Sequence, residues 1–155
     1  MGEAACLLDS NILLRMTQRE DPHYHAIRVA LVRLRSQGVR LCYTSQILGE
    51  FWNASTRPRD KNGLGLGVFE TNLIAQDIEQ QFELLPDSRA VYNRWRSLLI
   101  ERQVKGVQVH DARLAASAYV HGVGHILTLN TRDFRRFSGV RAISPHEVAS
   151  GELLV

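Results

Sequence analysis

Four acidic residues at separate points of the 155-residue chain are of a type that can do chemistry together: Asp9, Glu50, Asp111 and Asp133. Each stands beside an apolar segment that is predicted to form a strand or a helix. A carboxylate beside apolar side chains is costly to bury unless a positive partner joins it. If the fold brings the four together, the partner that such oxygen ligands favour is a hard divalent cation, Mg²⁺ or Mn²⁺.

Short apolar runs and amphipathic segments alternate along the chain, which predicts an α/β protein. Strands are predicted at residues 4–8, 39–43, 125–128 and 140–143. Helices are predicted directly after Asp9, over 21–38, from Thr44 or Ser45, over 68–84, 87–104 and 111–120, and from Pro145. Between them, residues 57–67 contain Pro58, three glycines and three basic residues, and this composition predicts an exposed, mobile loop.

Strands separated by helices pair in parallel through right-handed crossovers. We therefore expect a three-layer α/β/α sandwich with a short, mostly parallel central sheet, forming one domain over residues 1–155. In such sheets the site lies beyond the carboxyl ends of the strands. Asp9 follows the first strand, and Asp133 lies five residues after the strand that ends at Thr128. Neutral polar side chains are expected at the same edge: Ser10, Asn11 and Asn130.

Each acid also has a simpler interpretation when it is taken alone. Asp9 is a good helix N-cap, Asp111 can stabilise a helix dipole, and Asp133 can cap the short turn that follows it. Glu50 is different, because it lies at the margin of the apolar face of its predicted helix and an acid there needs a partner. Taken together, capping acids have no reason to share one sheet edge, whereas a metal site requires it.

The charge balance indicates a polyanionic partner once the acids are grouped. Lys and Arg number 19 and Asp and Glu 16, so four acids in one cluster leave a clearly cationic surface. Any single cation is most simply a solvated surface residue, but as a group they are candidates for binding substrate phosphates: Arg15, Arg113, Arg132, Arg135 and Arg136, with Arg57, Arg59 and Lys61 in the loop.

Other classes of protein fit the sequence poorly. There is no C-x-x-C or H-E-x-x-H spacing, so zinc is not expected, and Cys6 and Cys42 are predicted to be buried reduced thiols. No apolar run approaches the roughly 18 residues that span a bilayer, and the N-terminus lacks a secretory signal. We expect a cytoplasmic protein without membrane association.

Four motifs in this order resemble the PIN-domain family, and within it the VapC-type toxins of prokaryotic toxin–antitoxin pairs. They are Leu-Leu-Asp9-Ser-Asn, Glu50 in an amphipathic helix, His-Asp111-Ala-x-Leu-Ala-Ala, and Thr128-x-Asn130-x-x-Asp133-Phe134. The resemblance covers nearly the whole chain and implies a compact α/β/α fold with Mg²⁺- or Mn²⁺-dependent ribonuclease activity.

The family's acids correspond to the four acids named above, with Asn130 and either Thr128 or Ser10 assisting. Some relatives carry the fourth acid at the position of Asn130 and others at that of Asp133, so this choice stays open. The resemblance also implies a small antitoxin that covers the site, with an Arg or Lys entering it. The apolar helices over 68–104, with Phe82 and Trp95, are candidates for the antitoxin groove or for a homodimer interface.

The expected chemistry is hydrolysis of an RNA phosphodiester. One ion, held mainly by Asp9 and Asp111, lowers the pKa of the attacking water, while Glu50 orients water and Asp133 completes the acidic cluster. Three alternatives remain open: an RNA-binding module without catalysis, a Mg²⁺-dependent DNA nuclease, and a phosphatase of the haloacid dehalogenase type. Asn11 argues against the phosphatase, because that chemistry needs a second Asp two residues after the nucleophile.

Overall fold

The computed structural model describes residues 3–151 and contains a five-stranded sheet with helices on both faces. The strands are β1 (Ala5–Leu8), β2 (Arg40–Thr44), β3 (Glu83–Leu85), β4 (His125–Leu127) and β5 (Arg141–Ile143). The helices are α1 (Ser10–Arg15), α2 (Tyr24–Ser36), α3 (Ser45–Thr56), α4 (Val68–Gln81), α5 (Arg89–Glu101), α6 (Gln108–Val120) and α7 (Pro145–Ala149). Two 3₁₀ turns cover Arg59–Lys61 and Thr131–Phe134.

The strand order is β3-β2-β1-β4-β5, and every neighbouring pair is parallel. Strands β2 and β3 are added in turn on one side of β1, and β4 and β5 are then added on its other side. Right-handed crossovers therefore place α1 to α4 on one face of the sheet and α5 and α6 on the other. The helix contacts agree, because α5 packs on α6, while α7 packs on α2. The predicted α/β/α fold is confirmed, and its sheet is entirely parallel.

The core is continuous through the sheet and explains why the central strands are short apolar runs. All four residues of β1 are buried, as expected for a parallel strand covered on both faces. Phe51, Phe134 and Phe137 are among the largest fully buried side chains. Cys6 and Cys42 are buried free thiols, as predicted, and burial raises the pKa of the Cys6 thiol to about 12. Within residues 3–151, no helix has both the length and the hydropathy to cross a membrane.

The prediction of one helix over residues 68–84 is wrong at its end. Helix α4 stops at Gln81, Phe82 turns to extended backbone, and β3 follows at once. Phe82 and Leu85 are buried, and Glu83 forms an ion pair with Arg40 of the neighbouring strand. Pairing with β2 therefore overrides the helical propensity of this segment, as tertiary contacts often do.

Several helix boundaries also differ from the sequence prediction. Pro22 does not open the second helix, because Asp21 first accepts a hydrogen bond from His23 N (2.8 Å) in a turn, and α2 begins at Tyr24. Helix α6 begins at Gln108, three residues earlier than predicted. Helix α5 is shorter than predicted at both ends. At its start, the side chain of Ser88 caps the helix by accepting a hydrogen bond from Val91 N. Of the two predicted N-caps of α3, Thr44 and Ser45, the structure has Thr44, whose hydroxyl accepts from Ile47 N (3.2 Å).

The segment over residues 57–67 is folded back onto the end of α3. Leu64 N donates to Ala54 O (3.0 Å), and Leu66 N donates to Ser55 O (2.9 Å). Gly63 lies at the point of closest approach, where an added Cβ would come within 2.0 Å of Arg57 O. Only glycine fits there, so this one residue allows the segment to close against the helix that carries Glu50.

We predict that Gly63→Ala lowers the free energy of unfolding by about 1–3 kcal/mol, because the new methyl group would overlap backbone atoms. Gly49→Ala is the matched control, since an added Cβ there meets nothing within 4 Å and lies within α3. The control should raise stability by about 0.5–1 kcal/mol. Urea denaturation of the three proteins measures both effects, and equal stability of the two variants would contradict the close approach.

Candidate active site

Asp9 lies at the carboxyl end of β1 and beside the end of β4. Between these two strands the order in which strands are added to the sheet reverses. Its carboxylate caps α1 by accepting a hydrogen bond from Ser10 N (2.8 Å). The residue is only 8% exposed, so its side chain is largely shielded from water. This is the switch point of an open parallel sheet, the position where such folds place their ligands.

Thr128, directly after β4, fixes the orientation of the Asp9 carboxylate. Its hydroxyl donates to Asp9 Oδ2 (2.7 Å) and accepts from Asn130 N (3.0 Å). Asn11 closes the same network, because its Oδ1 accepts from Leu129 N (3.3 Å) and its Nδ2 lies 3.4 Å from both Asp9 Oδ2 and Thr128 Oγ1. Residues separated by more than a hundred positions are therefore held in one hydrogen-bonded group.

Glu50 is placed at the same edge by α3, the helix that follows β2. Its Oε1 is buried and has no hydrogen-bond partner in the structure. An orphaned buried carboxylate oxygen is unusual in a folded protein, because it loses its interactions with water and gains none in return. A bound cation, or a water that the cation holds, would supply the missing partner.

Asp111 lies in the first turn of α6, and two contacts hold the start of that helix. Trp95 Nε1 donates to Val109 O (2.9 Å), and Gln46 Nε2 donates to His110 O (3.0 Å). Gln46 is on α3, one turn before Glu50, so this contact joins the two helices that carry acids.

The structure brings all four predicted acids to a single cavity of about 220 Å³, which we call the acid pocket. The 3₁₀ turn over Thr131–Phe134 contributes Asp133, while Asn130 precedes that turn and also lines the cavity. Both candidates for the fourth polar group therefore reach the site. The complete lining is Asp9, Ser10, Asn11, Leu14, Glu50, Phe51, Ala54, Asp111, Asn130 and Asp133.

The acids perturb one another, and burial adds to the effect. Burial, then the charges of Asp9 and Asp111, raise the pKa of Glu50 to about 7. Burial, then the charges of Asp133 and Asp9, raise the pKa of Asp111 to about 6. Burial also raises the pKa of Asp9, although hydrogen bonds from Thr128 and Ser10 oppose that shift. The pocket therefore favours either bound protons or a bound cation.

The donor set fits a hard divalent cation, since it consists of carboxylates with neutral amide and hydroxyl oxygens nearby. Glu50 Oε1 supports that fit, because it is buried without a partner. Within residues 3–151, however, no three acidic, histidine or cysteine side chains are grouped closely enough to hold one ion together. The arrangement suits Mg²⁺, which usually takes one or two protein carboxylates and keeps several waters.

The five arginines predicted to bind substrate phosphates do not line the acid pocket. Arg15 forms an ion pair with Asp21 (2.6 Å), and Arg113 forms one with Asp87 (3.3 Å). Arg136 donates to Gln108 Oε1 and to the carbonyl oxygen of Arg102. The remaining two lie exposed within or just after the 3₁₀ turn that carries Asp133: Arg132 and Arg135. Their position beside that acid is compatible with contacts to a long substrate.

The three basic residues of the 57–67 segment also lie outside the acid pocket. Arg57 donates to Asn62 O (3.0 Å), whereas Arg59 and Lys61 are exposed in the first 3₁₀ turn.

Four residues that shape the site were not predicted from the sequence. Leu14 lines the acid pocket from α1, Phe51 and Ala54 line it one and four residues after Glu50, and Gln46 links α3 to α6. Helical spacing from Glu50 identifies Ala54 and Gln46, because residues four apart share a helix face. No sequence signal shows that Gln46 reaches the backbone of another helix.

Comparison with known proteins identifies the class of protein that this fold and site define. The profile of the PIN domain family matches residues 6–140. The chain belongs to the PIN domain family, and the resemblance drawn from its four motifs is confirmed. No curated protein sequence matches the chain significantly.

Solved structures similar to this chain include VapC-type toxins and their complexes with antitoxins. DNA-bound VapBC from Salmonella typhimurium aligns with a TM-score of 0.66 and 21% identity, over 92% of this chain and 98% of that one. VapBC2 from Rickettsia felis, bound to a promoter DNA fragment, aligns with a TM-score of 0.65 and 14% identity, over 90% of this chain and 98% of that one. VapC20 of Mycobacterium tuberculosis, a toxin that cleaves the sarcin–ricin loop, aligns with a TM-score of 0.57 and 13% identity, over 97% of this chain and 98% of that one. At these identities the likeness establishes the fold.

We predict that Glu50 makes the metal-free protein less stable as the pH rises from about 4.5 to about 7. Across this range the folded state keeps a proton that the unfolded state has already lost, since the pKa of Glu50 is raised from 4.5 to about 7. Glu50 is half-buried, and solvent screening limits its share to about 1 kcal/mol. Urea denaturation in EDTA at several pH values measures the slope. Glu50→Gln should flatten it, and an unchanged slope in that variant would contradict the assigned pKa.

We predict that Thr128→Val lowers the free energy of unfolding by about 1–3 kcal/mol, because it removes the buried hydroxyl that donates to Asp9 Oδ2 and accepts from Asn130 N. The change keeps the shape of the side chain, so packing is conserved. Thr128→Ser keeps the hydroxyl group and should lower the free energy of unfolding distinctly less. If thermal denaturation ranks the two variants in the opposite order, packing rather than the hydroxyl holds this part of the site.

Proposed function

We propose that this chain is a metal-dependent ribonuclease and the toxin of a VapBC-type toxin–antitoxin pair. The observation that carries the proposal is the convergence of Asp9, Glu50, Asp111 and Asp133 on one cavity at the switch point of a PIN fold. PIN domains are generally nucleases, and the similar solved structures include a toxin that cleaves the sarcin–ricin loop. A substrate with phosphates also suits the cationic remainder of the surface.

The residues that would hold Mg²⁺ or Mn²⁺ are Asp9 and Asp111, with Glu50 and Asp133 through intervening waters. A bound divalent ion supplies Lewis-acid polarisation of the phosphate and makes water a stronger nucleophile at neutral pH. The hydrogen bonds from Thr128 and Ser10 N keep the Asp9 carboxylate in one orientation, so it needs no rearrangement when substrate arrives.

Glu50 is the residue placed to handle the attacking water. Its Oε1 accepts no hydrogen bond within the protein, which leaves it free to accept one from that water. As an ionised carboxylate it can take up the proton that the water loses. Attack on phosphorus then breaks the bond to the leaving oxygen on the opposite side.

Asp133 and Asn130 line the acid pocket from the turn that follows β4. Asp133 is exposed, and its backbone N–H donates to Asn130 O (3.1 Å), so the two residues move as one turn. We assign Asp133 the role of completing the negative charge of the site, and Asn130 that of orienting substrate through its amide.

An antitoxin partner is part of the proposal. Helix α4 exposes Val68, Phe69 and Leu73, of which Phe69 is 73% accessible, and such an apolar patch is typical of a protein interface. We place the antitoxin or a second copy of the chain on this helix, with a basic antitoxin residue entering the acid pocket. Phe82, a sequence candidate for the interface, is buried in the core, and Trp95 is half-buried. A cytoplasmic location is also part of the proposal, since that is where we expect an RNA substrate and an antitoxin to be met.

We predict that Asp9→Asn lowers the rate of RNA cleavage at least about a hundredfold, because it removes a charge that holds the cation. The variant should fold, and its free energy of unfolding without metal should equal or exceed that of the wild type, since a repulsive buried charge is lost. Asp77→Asn is the control, as this acid is exposed on α4. Cleavage of labelled RNA with Mg²⁺ or Mn²⁺ provides the readout. Full activity of the Asp9 variant refutes the metal role.

The same assay separates the proposal from its alternatives. Equal cutting of matched DNA would indicate a less selective nuclease. RNA binding without cleavage in either metal would indicate a binding module. A phosphoenzyme trapped on Asp9 would indicate a phosphatase, although Asn11 donates its amide to the Asp9–Thr128 network where that chemistry needs an acid.

A further inference from the structure

A second depression lies at the same edge of the sheet, beyond β2 and β3. Asp87 follows β3 by two residues, Ser45 follows β2, and the Ser45 hydroxyl donates to the Asp87 carboxylate. A cavity of about 180 Å³ opens here, and it adjoins a wider space of about 570 Å³. We call it the Tyr92 pocket; its lining is Asp87, Ser88, Val91, Tyr92, Trp95 and Arg113.

The aromatic wall of the Tyr92 pocket is open and held in place. Tyr92 is 53% exposed, an unusual state for a large ring that serves only to pack the core. It contacts Trp95 edge to face, with the ring centroids 6.1 Å apart, and Trp95 is itself tied to Val109 O. An aromatic surface that is both exposed and fixed is suited to stacking against a flat ligand.

Polar groups of both kinds surround that ring. Arg113 forms an ion pair with Asp87 (3.3 Å) in which both side chains remain about two-fifths exposed, so each keeps free hydrogen-bonding capacity. The guanidinium group presents donors, whereas the carboxylate and the Ser88 hydroxyl present acceptors. The edges of nucleobases carry donors and acceptors in the same plane, which is the pattern these groups match.

The Tyr92 pocket and the acid pocket are structurally connected. Asp111 and Arg113 lie two residues apart on α6, and each lines one of the two cavities. On α3, Ser45 and Glu50 are separated by about 7.5 Å along the helix axis. The hydrogen bond from Gln46 to His110 O lies between the two sites and links these helices. Because α6 contributes lining residues to both cavities, we assign the two cavities to one bound strand.

We propose that the Tyr92 pocket binds an unpaired nucleobase of the RNA, close to the bond that is cleaved. This inference rests on the proposed ribonuclease function and adds a site for base recognition to it. Phosphate contacts alone give no sequence preference, so a base-binding pocket is what allows the enzyme to choose its cleavage site. Tyr92 stacks on the base, and Arg113 and Asp87 contact its edge.

The test uses the Asp9→Asn protein, which leaves the RNA uncut, and a short single-stranded RNA with the fluorescent base 2-aminopurine placed at each position in turn. Stacking on Tyr92 quenches the fluorescence at one position only. Adding Tyr92→Ala should abolish that quenching and weaken binding about 5- to 100-fold, as expected for the loss of one base–aromatic stack. Tyr92→Phe keeps the ring and should preserve both signals.

Ile100→Ala is the matched control, because Ile100 is 72% exposed on the same helix, two turns from Tyr92. An abasic scan in the protein with intact Tyr92 tests the pocket without relying on folding of a variant, and removal of the one quenched base should reproduce the Tyr92→Ala loss. Equal binding and quenching in Tyr92→Ala overturn the inference and leave a protein partner as the occupant of the pocket.

The two proposals fail separately. If wild-type protein cleaves RNA in an Asp9-dependent manner but no position responds to Tyr92, only the base pocket is lost. If Tyr92-dependent quenching is found while the wild type cuts no RNA, the base pocket stands and the ribonuclease proposal falls.

Discussion

The hydrogen bond from the Thr128 hydroxyl to the Asp9 carboxylate is the contact on which the rest of the site depends. It joins two residues 119 positions apart, at the ends of β1 and β4, where the order of strand addition reverses. Because the same hydroxyl accepts from Asn130 N, the turn that carries Asp133 is positioned from it as well. One buried hydroxyl group thus sets the geometry of acids from both halves of the chain.

The same arrangement brings carboxylates close enough to repel one another. The fold collects four carboxylates around one small cavity, and it tolerates them because a continuous apolar core on both faces of the sheet supplies the stability. Burial, and after it this mutual repulsion, raise the pKa of Glu50 and of Asp111. A cation would relieve the repulsion, so the destabilisation of the pocket and its affinity for a cation have the same origin.

The sequence predicts the fold class, and it predicts that the four acids lie at one edge of the sheet, because the elements that carry them have clear local signals. Strands that are buried on both faces appear as apolar runs, and Asp9 and Thr44 are recognisable N-caps. The strand β3 escapes prediction, since its residues are good helix formers and only the neighbouring strand makes them extended. The partners of Arg113 and Arg136 escape it too, because they come from segments distant along the chain.

The position of β1 has a consequence for biosynthesis. The strand β1, which precedes Asp9, leaves the ribosome well before its neighbour β4, which is made more than a hundred residues later. Until then a nascent chain carries Asp9 without Thr128 beside it, and the central strand has one open edge. A polypeptide built in this order acquires its assembled acidic cavity only after β4 and the turn that follows it have been made, which separates synthesis of Asp9 from the onset of its chemistry.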